Sequence, residues 1–312
     1  MLYHSLLEAI GNTPLIELGR SSPNPNVRIY AKLEGQNPTG SVKDRIARYL
    51  IEDAERQGAL TPDKVILEPT SGNTGISLAM ICRVKGYRLK VVMPESVSEE
   101  RTQLLRAYGA EIVYSPGIKG TNGSIALAQQ MVAEAPDLYY MPYQYGNEAN
   151  PRAHYETTGP EILRDLPEVD VFVAGLGTGG TLTGTGRYLK EQKPGVRVVA
   201  CVPHPGDLVQ GLRSLEEGFI PPVLDESVLD GRIVVDSRTA FAATKELLER
   251  EGIFAGISSG ACLRTAQRVA QRMERGTIVV LLADGGWKYL STELWQRDYG
   301  DVPEDIDAKV WW

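Results

Sequence analysis

Between Val65 and Met93 the chain reads VILEPTSGNTGISLAMICRVKGYRLKVVM. Its ends, VILE and LKVVM, are short apolar runs of strand length. The segment between them, ISLAMICRVKG, is long enough for three turns of helix, and glycines stand at both joints. A strand, a helix and a second strand in that order form a right-handed crossover between parallel strands, because a tight hairpin has no room for the helix. The same alternation extends outward. Short β-branched runs at Val27 to Lys32, Ile112 to Tyr114, Val171 to Ala174, Val196 to Val202 and Ile278 to Leu282 each precede or follow a helical pattern. The chain therefore reads as α/β with mostly parallel sheet flanked by helices.

At 312 residues the sequence is long for one core and comfortable for two domains. The polar stretch YQYGNEANP, Tyr143 to Pro151, is the best crossing point between them. A length of 312 residues excludes a coiled-coil rod and a small disulfide-stapled scaffold, and with apolar residues at 42% and charged residues at 23% the chain can bury a sizeable core and need not be disordered. Lysine and arginine total 33 against 40 acidic residues, a net charge of −7 with no basic block. Nucleic acid and anionic membrane are thus not expected as partners. The three cysteines, Cys82, Cys201 and Cys262, are far apart and never form a C-x-x-C pair, which argues against a disulfide framework and a zinc site. With no signal-peptide pattern and no apolar run of membrane-spanning length, the expected location is the cytoplasm. From Gly300 the tail GDVPEDIDAKVWW is acidic and contains proline, as a mobile segment would.

Ligands of α/β proteins bind where strands pass into helices, and three such junctions stand out. The first, NPTGSVKDR at Asn37 to Arg45, precedes a helix that should begin near Val42 with Ser41 as N-cap. Counting on from Lys43, the positions that share its face are Ala47, Leu50, Ile51 and Ala54, so Lys43 lies on the inward stripe. A desolvated lysine at the positive end of a helix has a lowered pKa and an available amine. The position also suits a lysine that snorkels to solvent. The second junction, PTSGNTG at Pro69 to Gly75, points hydroxyl, amide and backbone donors at one spot, which suits a carboxylate or phosphate; an ordinary capped turn would look the same. The third, GLGTGGTLTGTG at Gly175 to Gly186, carries six glycines in twelve positions and reads as close backbone approach to an anion.

Several near-matches fail on their own terms. Gly175, Gly177 and Gly180 give a dinucleotide fingerprint, but the next strand runs into Pro203 and His204 where a ribose-binding acid is required. Gly35 to Ser41 lacks the lysine of a phosphate loop. GISSG at Gly256 to Gly260 matches a nucleophile elbow, yet His4, His154 and His204 all precede it. Histidine and cysteine are too scattered to supply a metal. What remains is two anion nests and an inward lysine, a set that one phosphate and one carboxylate would use in full.

NPTGSVKDR, PTSGNTGISLA, GTGGTLTG, GIFAGISSGA and KYLST together make the chain resemble the cysteine synthase (O-acetylserine sulfhydrylase) family of fold-type II pyridoxal-phosphate enzymes, from IGNTPL at Ile10 to Leu15 through to about Leu294. The resemblance implies two domains, each a twisted mostly parallel sheet flanked by helices. Residues 35–142 would form a smaller mobile domain that binds the substrate carboxylate. Residues 1–34 with 143–300 would form a larger one that holds the cofactor phosphate, and 301–312 a tail. It implies pyridoxal 5'-phosphate held on Lys43 as a Schiff base, with Lys43 then the acid/base at the substrate α-carbon. Gly177, Thr178, Gly179, Gly180 and Thr181 would cradle the phosphate, Asn73 would meet the 3-hydroxyl, and Ser258 the pyridine nitrogen. Thr70, Ser71, Thr74 and Gln144 would take the substrate carboxylate. A serine at the ring nitrogen does not enforce its protonation, which favours expulsion of a β-leaving group over transamination. The implied reaction is β-replacement through an α-aminoacrylate, giving cysteine from O-acetylserine or O-phosphoserine and sulfide, thiosulfate or a thiocarboxylated carrier protein, in a homodimer. A related β-lyase, such as serine dehydratase or cystathionine β-synthase, would share Lys43 and the glycine nest. YQYGN, DGGWKYLST and GLRSLEEGFIP look like the B-type branch that uses O-phosphoserine. There an arginine aligned with Arg213 binds the substrate phosphate, as a guanidinium fork suits a phosphate dianion, and a tail such as that ending in Trp311 and Trp312 enters the cleft. A surface arginine is the plainer alternative for Arg213.

Overall fold

Every run read as a strand forms one, most of them a residue or two longer at the ends. The computed structural model describes residues 2–299 apart from 71, 96, 118 and 119, so Ser71 and the tail with Trp311 and Trp312 lie outside the described residues. In chain order the strands are β1 (Leu15–Glu17), β2 (Val27–Leu33), β3 (Val65–Pro69), β4 (Arg88–Pro94), β5 (Glu111–Ser115), β6 (Tyr139–Tyr140), β7 (Val171–Gly175), β8 (Arg197–Pro203), β9 (Gly231–Val235) and β10 (Gly276–Leu282). They form a six-stranded sheet in the order β1-β2-β10-β7-β8-β9 and a four-stranded sheet in the order β5-β4-β3-β6. All neighbours are parallel except β1, which pairs antiparallel with β2. The strands absent from the sequence reading, β1, β6 and β9, are three of the four sheet edges. Two are very short and β9 alternates between exposed and covered residues, so none carries the continuous apolar run of a doubly covered strand.

The helices are α1 (Lys43–Arg56), α2 (Asn73–Lys85), α3 (Glu99–Ala107), α4 (Gly120–Glu134), α5 (Ala149–Ala153), α6 (Gly159–Asp165), α7 (Gly180–Gln192), α8 (Ser237–Glu251) and α9 (Ile257–Ala270). Both sheets are covered on two faces, and the two-residue period of the central strands sorts their side chains between layers. Ile278 and Val280 of β10 pack with Leu247, Ala261 and Ala266 of α8 and α9, while Val279 and Leu281 pack with Leu182 and Leu189 of α7. In the smaller sheet Ile66 and Val91 meet Ile51 and Ile76 of α1 and α2, and Leu67 and Val92 meet Ala128 of α4.

The inward stripe of α1 is as its spacing requires: Ala47, Leu50, Ile51 and Ala54 are all buried. Its start differs by one residue. Val42, not Ser41, occupies the N-cap position, because Ser41 is held in a bridge with Asp284, from where its Oγ accepts the Lys43 N–H at 3.3 Å. A buried ion cluster fixes the helix behind this turn. Arg45 gives its Nε to Glu34 and its Nη1 to Glu161, both at 2.7 Å, and Lys32 at the end of β2 reaches Glu161 at 2.7 Å. Helices α5 and α6 are joined by one π-helical turn, His154–Thr158, which places the His154 ring between the hydroxyls of Thr158 and Thr181.

Candidate active site

The carboxyl ends of β3, β7 and β10 open into one cavity of about 520 Å³, large enough for a cofactor and a small substrate together. Thr70 follows β3, Gly177 and Thr178 follow β7, and Ala283 and Asp284 follow β10; all line it. So do the first residues of three helices: Lys43 of α1, Asn73 and Thr74 of α2, and Ser258 of α9. Gln144, in the crossing segment, and Arg213 complete the sequence-derived residues found there.

Lys43 is partly buried in the cavity wall. Burial pushes its pKa down, with the Asp284 and Glu34 carboxylates acting in the other direction. On the carboxylate-type loop, Thr74 Oγ1 donates to Gln144 Oε1 at 2.7 Å, and the N–H of Gly72 reaches Thr70 Oγ1 at 3.2 Å. Helix α2 begins at Asn73, three residues before its apolar run, because Gly72 carries the extended turn.

The glycine loop divides into two parts, a correction to its reading as a single anion nest. At Gly177 a Cβ would come within 2.7 Å of the Gly211 carbonyl, and Gly179, at φ +86°, delivers the chain to the N-terminus of α7. These two shape the nest. Gly184 and Gly186 lie inside α7, where a Cβ at Gly184 would stand 2.0 Å from the Pro151 carbonyl and one at Gly186 would crowd Val198. They are small for helix packing. Thr178 Oγ1 accepts from Asn150 Nδ2 at 2.9 Å, and Gly180 lies against the same amide. The Thr181 hydroxyl pairs with His154 Nε2 at 3.1 Å, so its side chain braces the loop from behind.

Four residues of the site were not singled out from sequence. Asn73 Nδ2 donates to Asp284 Oδ2 at 2.7 Å, while Lys288 Nζ donates to Asn73 Oδ1 at 2.7 Å, so opposite charges fix which way the amide faces. Burial pushes Lys288 down to about 8. Tyr289 donates its hydroxyl to Asp284 Oδ2 at 2.7 Å, and the buried guanidinium of Arg101 lies 5.1 Å from the Tyr289 ring centre. The signal for the first three is their place just beyond the apolar run Ile278 to Leu282; Arg101 carries none. Arg213 is partly buried in the cavity wall, its guanidinium over Phe219 at 4.7 Å and Tyr145 at 5.6 Å from the ring centres.

The set fits pyridoxal phosphate. A nest too tight for any Cβ and a helix N-terminus suit the phosphate, a depressed lysine amine suits the aldehyde, and a pinned amide donor and a serine hydroxyl remain for the ring. Residues 6–284 match the family described as pyridoxal-phosphate dependent enzyme. A cysteine synthase of Staphylococcus aureus (strain Mu50 / ATCC 700699) is 43% identical over 304 residues, covering 94% of this chain and 97% of that protein. Among solved structures, O-ureido-L-serine synthase superposes with a TM-score of 0.89 at 41% identity, covering 98% of both chains. The cysteine synthase (OASS) of Entamoeba histolytica does so at 0.90 and 36% identity, covering 98% of this chain and 94% of that one.

Proposed function

This chain belongs to the pyridoxal-phosphate dependent enzymes, and from that premise we infer that it is a cysteine synthase, replacing the β-substituent of an activated L-serine with sulfur. The observation that carries the inference is Lys43, a desolvated amine at a helix N-terminus that shares one cavity with the glycine nest after β7. When bound there, the cofactor supplies an electron sink for the substrate α-carbon. The chain's own residues do the rest. Gly177 to Thr181 would hold the phosphate at the head of α7, Asn73 would donate to the ring oxygen, and Ser258 would face the ring nitrogen without forcing a proton onto it. Thr70, Ser71, Thr74 and Gln144 hold the substrate carboxylate. Lys43 Nζ removes the proton from the α-carbon and later returns one to it.

Residues 35–142 act as the smaller, mobile domain that closes on the carboxylate against 1–34 and 143–300; the separate four-stranded sheet, drawn from this stretch, supports that division. Arg213 takes a phosphate on the leaving group, which makes O-phosphoserine a donor beside O-acetylserine; its stacking on two rings pre-sets the guanidinium fork. Sulfide, thiosulfate or a thiocarboxylated carrier protein brings the sulfur. The enzyme works as a cytoplasmic homodimer. Three buried free cysteines favour a reducing compartment, and exposed Leu2, Leu6 and Ile16 favour burial against a second copy. No helix among the described residues is long and apolar enough to cross a membrane.

The test is the visible spectrum of the purified protein. A visible band that borohydride bleaches while fixing the cofactor to Lys43, that Lys43→Ala loses, and that O-acetylserine or O-phosphoserine shifts on the way to cysteine in the presence of sulfide supports the reading. A colourless protein after reconstitution, or one that makes no cysteine, refutes it.

A further inference from the structure

Glu68 is a charged residue in an otherwise apolar strand, and it is fully buried at the end of β3. Among the described residues it meets no cation. Its carboxylate instead accepts two consecutive backbone N–H groups from the crossing segment, that of Tyr143 at 2.8 Å on Oε2 and that of Gln144 at 3.0 Å on Oε1. Tyr143 takes up a left-handed φ of +53° to present them, a conformation that costs a bulky residue free energy unless its surroundings hold it. The segment so held matters to the site at two points. Gln144 Oε1 accepts from Thr74 Oγ1 at 2.7 Å, and its carbonyl accepts from Asn150 Nδ2 at 2.8 Å, the amide that also reaches Thr178 of the glycine loop.

We propose that Glu68 is a positioning residue for the amino-acid substrate: its ionised carboxylate pins the Tyr143–Gln144 peptide and so sets the Gln144 amide at the carboxylate end of the cavity. The inference rests on the proposed function and adds to it a residue and a pH dependence. Protonation leaves one oxygen carrying a hydrogen that faces an N–H, so one of the two bonds is lost and Gln144 loosens. Burial pushes Glu68 up to about 7, against the pull of the two N–H groups. The titratable groups that face it are phenols, Tyr140 on β6 and Tyr143 and Tyr145 in the crossing segment; burial raises all three, Tyr140 to about 12, so they stay neutral across this range. Arg213 and Asp53 act on those phenols. Gln144 should therefore be fully held above neutrality and progressively released below it.

The experiment compares steady-state kinetics of wild type, Glu68→Gln and Glu68→Asp holoenzymes with O-acetylserine and sulfide between pH 6 and 8. Substrate and sulfide ionisations are common to all three proteins and cancel in ratios. Glu68→Gln should raise KM for O-acetylserine ~10-fold at pH 8 while kcat stays within about twofold, and the KM ratio to wild type should shrink toward unity as the pH falls to 6. Glu68→Asp, which keeps the charge on a shorter arm, should keep a pH-sensitive KM, so the proposal remains testable if the glutamine variant folds poorly. A KM ratio independent of pH, or a fall in kcat equal to the fall in kcat/KM, overturns the positioning role in an active enzyme. A wild type that makes no cysteine overturns the function on which the role rests.

Discussion

Replacing Arg45 by methionine should expose how the chain sets the turn that carries Lys43. The guanidinium makes two forked contacts, with both oxygens of Glu34 at 2.7 and 2.9 Å and both of Glu161 at 2.7 Å. In Glu161, burial acts to raise the pKa and the hydrogen bonds and charge of Arg45 and Lys32 overcome it, holding the carboxyl at about 2. Set against its ordinary 4.5, that depression is worth about 3 kcal/mol of folding free energy at neutral pH. Methionine fills similar space and leaves Glu34 buried without this partner, so a loss of about 3 to 5 kcal/mol is expected at pH 7. A depressed carboxylate pKa stabilises the fold above the unfolded value and ceases to do so as the pH falls toward the folded one. At pH 3 the Glu161 contribution has dropped to about 1 kcal/mol, and the gap between variant and wild type should narrow by about 2 kcal/mol. Urea unfolding at the two pH values, with protein and cofactor concentrations fixed, measures both numbers. A gap under about 1 kcal/mol at pH 7, or one of equal size at both pH values, would show that the cluster does not hold α1 in place.

Three further outcomes are expected. His154 is buried, and burial followed by the charge of Arg45 pushes it down to about 3; the unfolded chain takes up this proton first, so stability falls as the pH drops below 6.5 and should be lower by about 2 kcal/mol at pH 5 than at pH 7 from this group alone. Urea titrations of His154→Gln should lack that part of the slope, and an unchanged slope would acquit the residue. A Cβ at Gly260 would sit 2.3 Å from the Ala240 carbonyl and 2.4 Å from the Thr244 nitrogen, so Gly260→Ala should force α9 off α8 at a cost of about 2 kcal/mol or more, read as a lowered melting temperature together with a weaker cofactor titration, since Ser258 rides on the same helix turn. Arg213→Ala should reduce kcat/KM for O-phosphoserine at least ~10-fold more than for O-acetylserine; equal losses would remove the phosphate role.

What could be read from sequence follows from periodicity and from the position of strand ends. The spacing of Ala47, Leu50, Ile51 and Ala54 places Lys43 on an inward stripe, and the three junction motifs stand where parallel strands open their ligand sites, at their carboxyl ends. The contacts that hold these loops join residues far apart in the chain, and spacing is blind to them. Gly184 is small because the carbonyl of Pro151 lies against it, and nothing within one helix separates that need from an anion nest. Asn73 is oriented by Asp284 and Lys288, more than two hundred residues away. One local mark of such contacts does exist. A strand buried on both faces has no place for a charge unless another element compensates it, yet VRIYAKL contains Lys32 and VILEP contains Glu68, both fully buried. Lys32 is answered by Glu161 of α6, and Glu68 by two N–H groups of the crossing segment. Each of these two buried charges thus points to the element that answers it, and the same arithmetic of burial makes Lys32→Met and Glu68→Gln opposite cases. The first strands a carboxylate that Arg45 still serves. The second removes the charge that, among the described residues, holds the Gln144 peptide, so its effect belongs in substrate binding before it reaches stability.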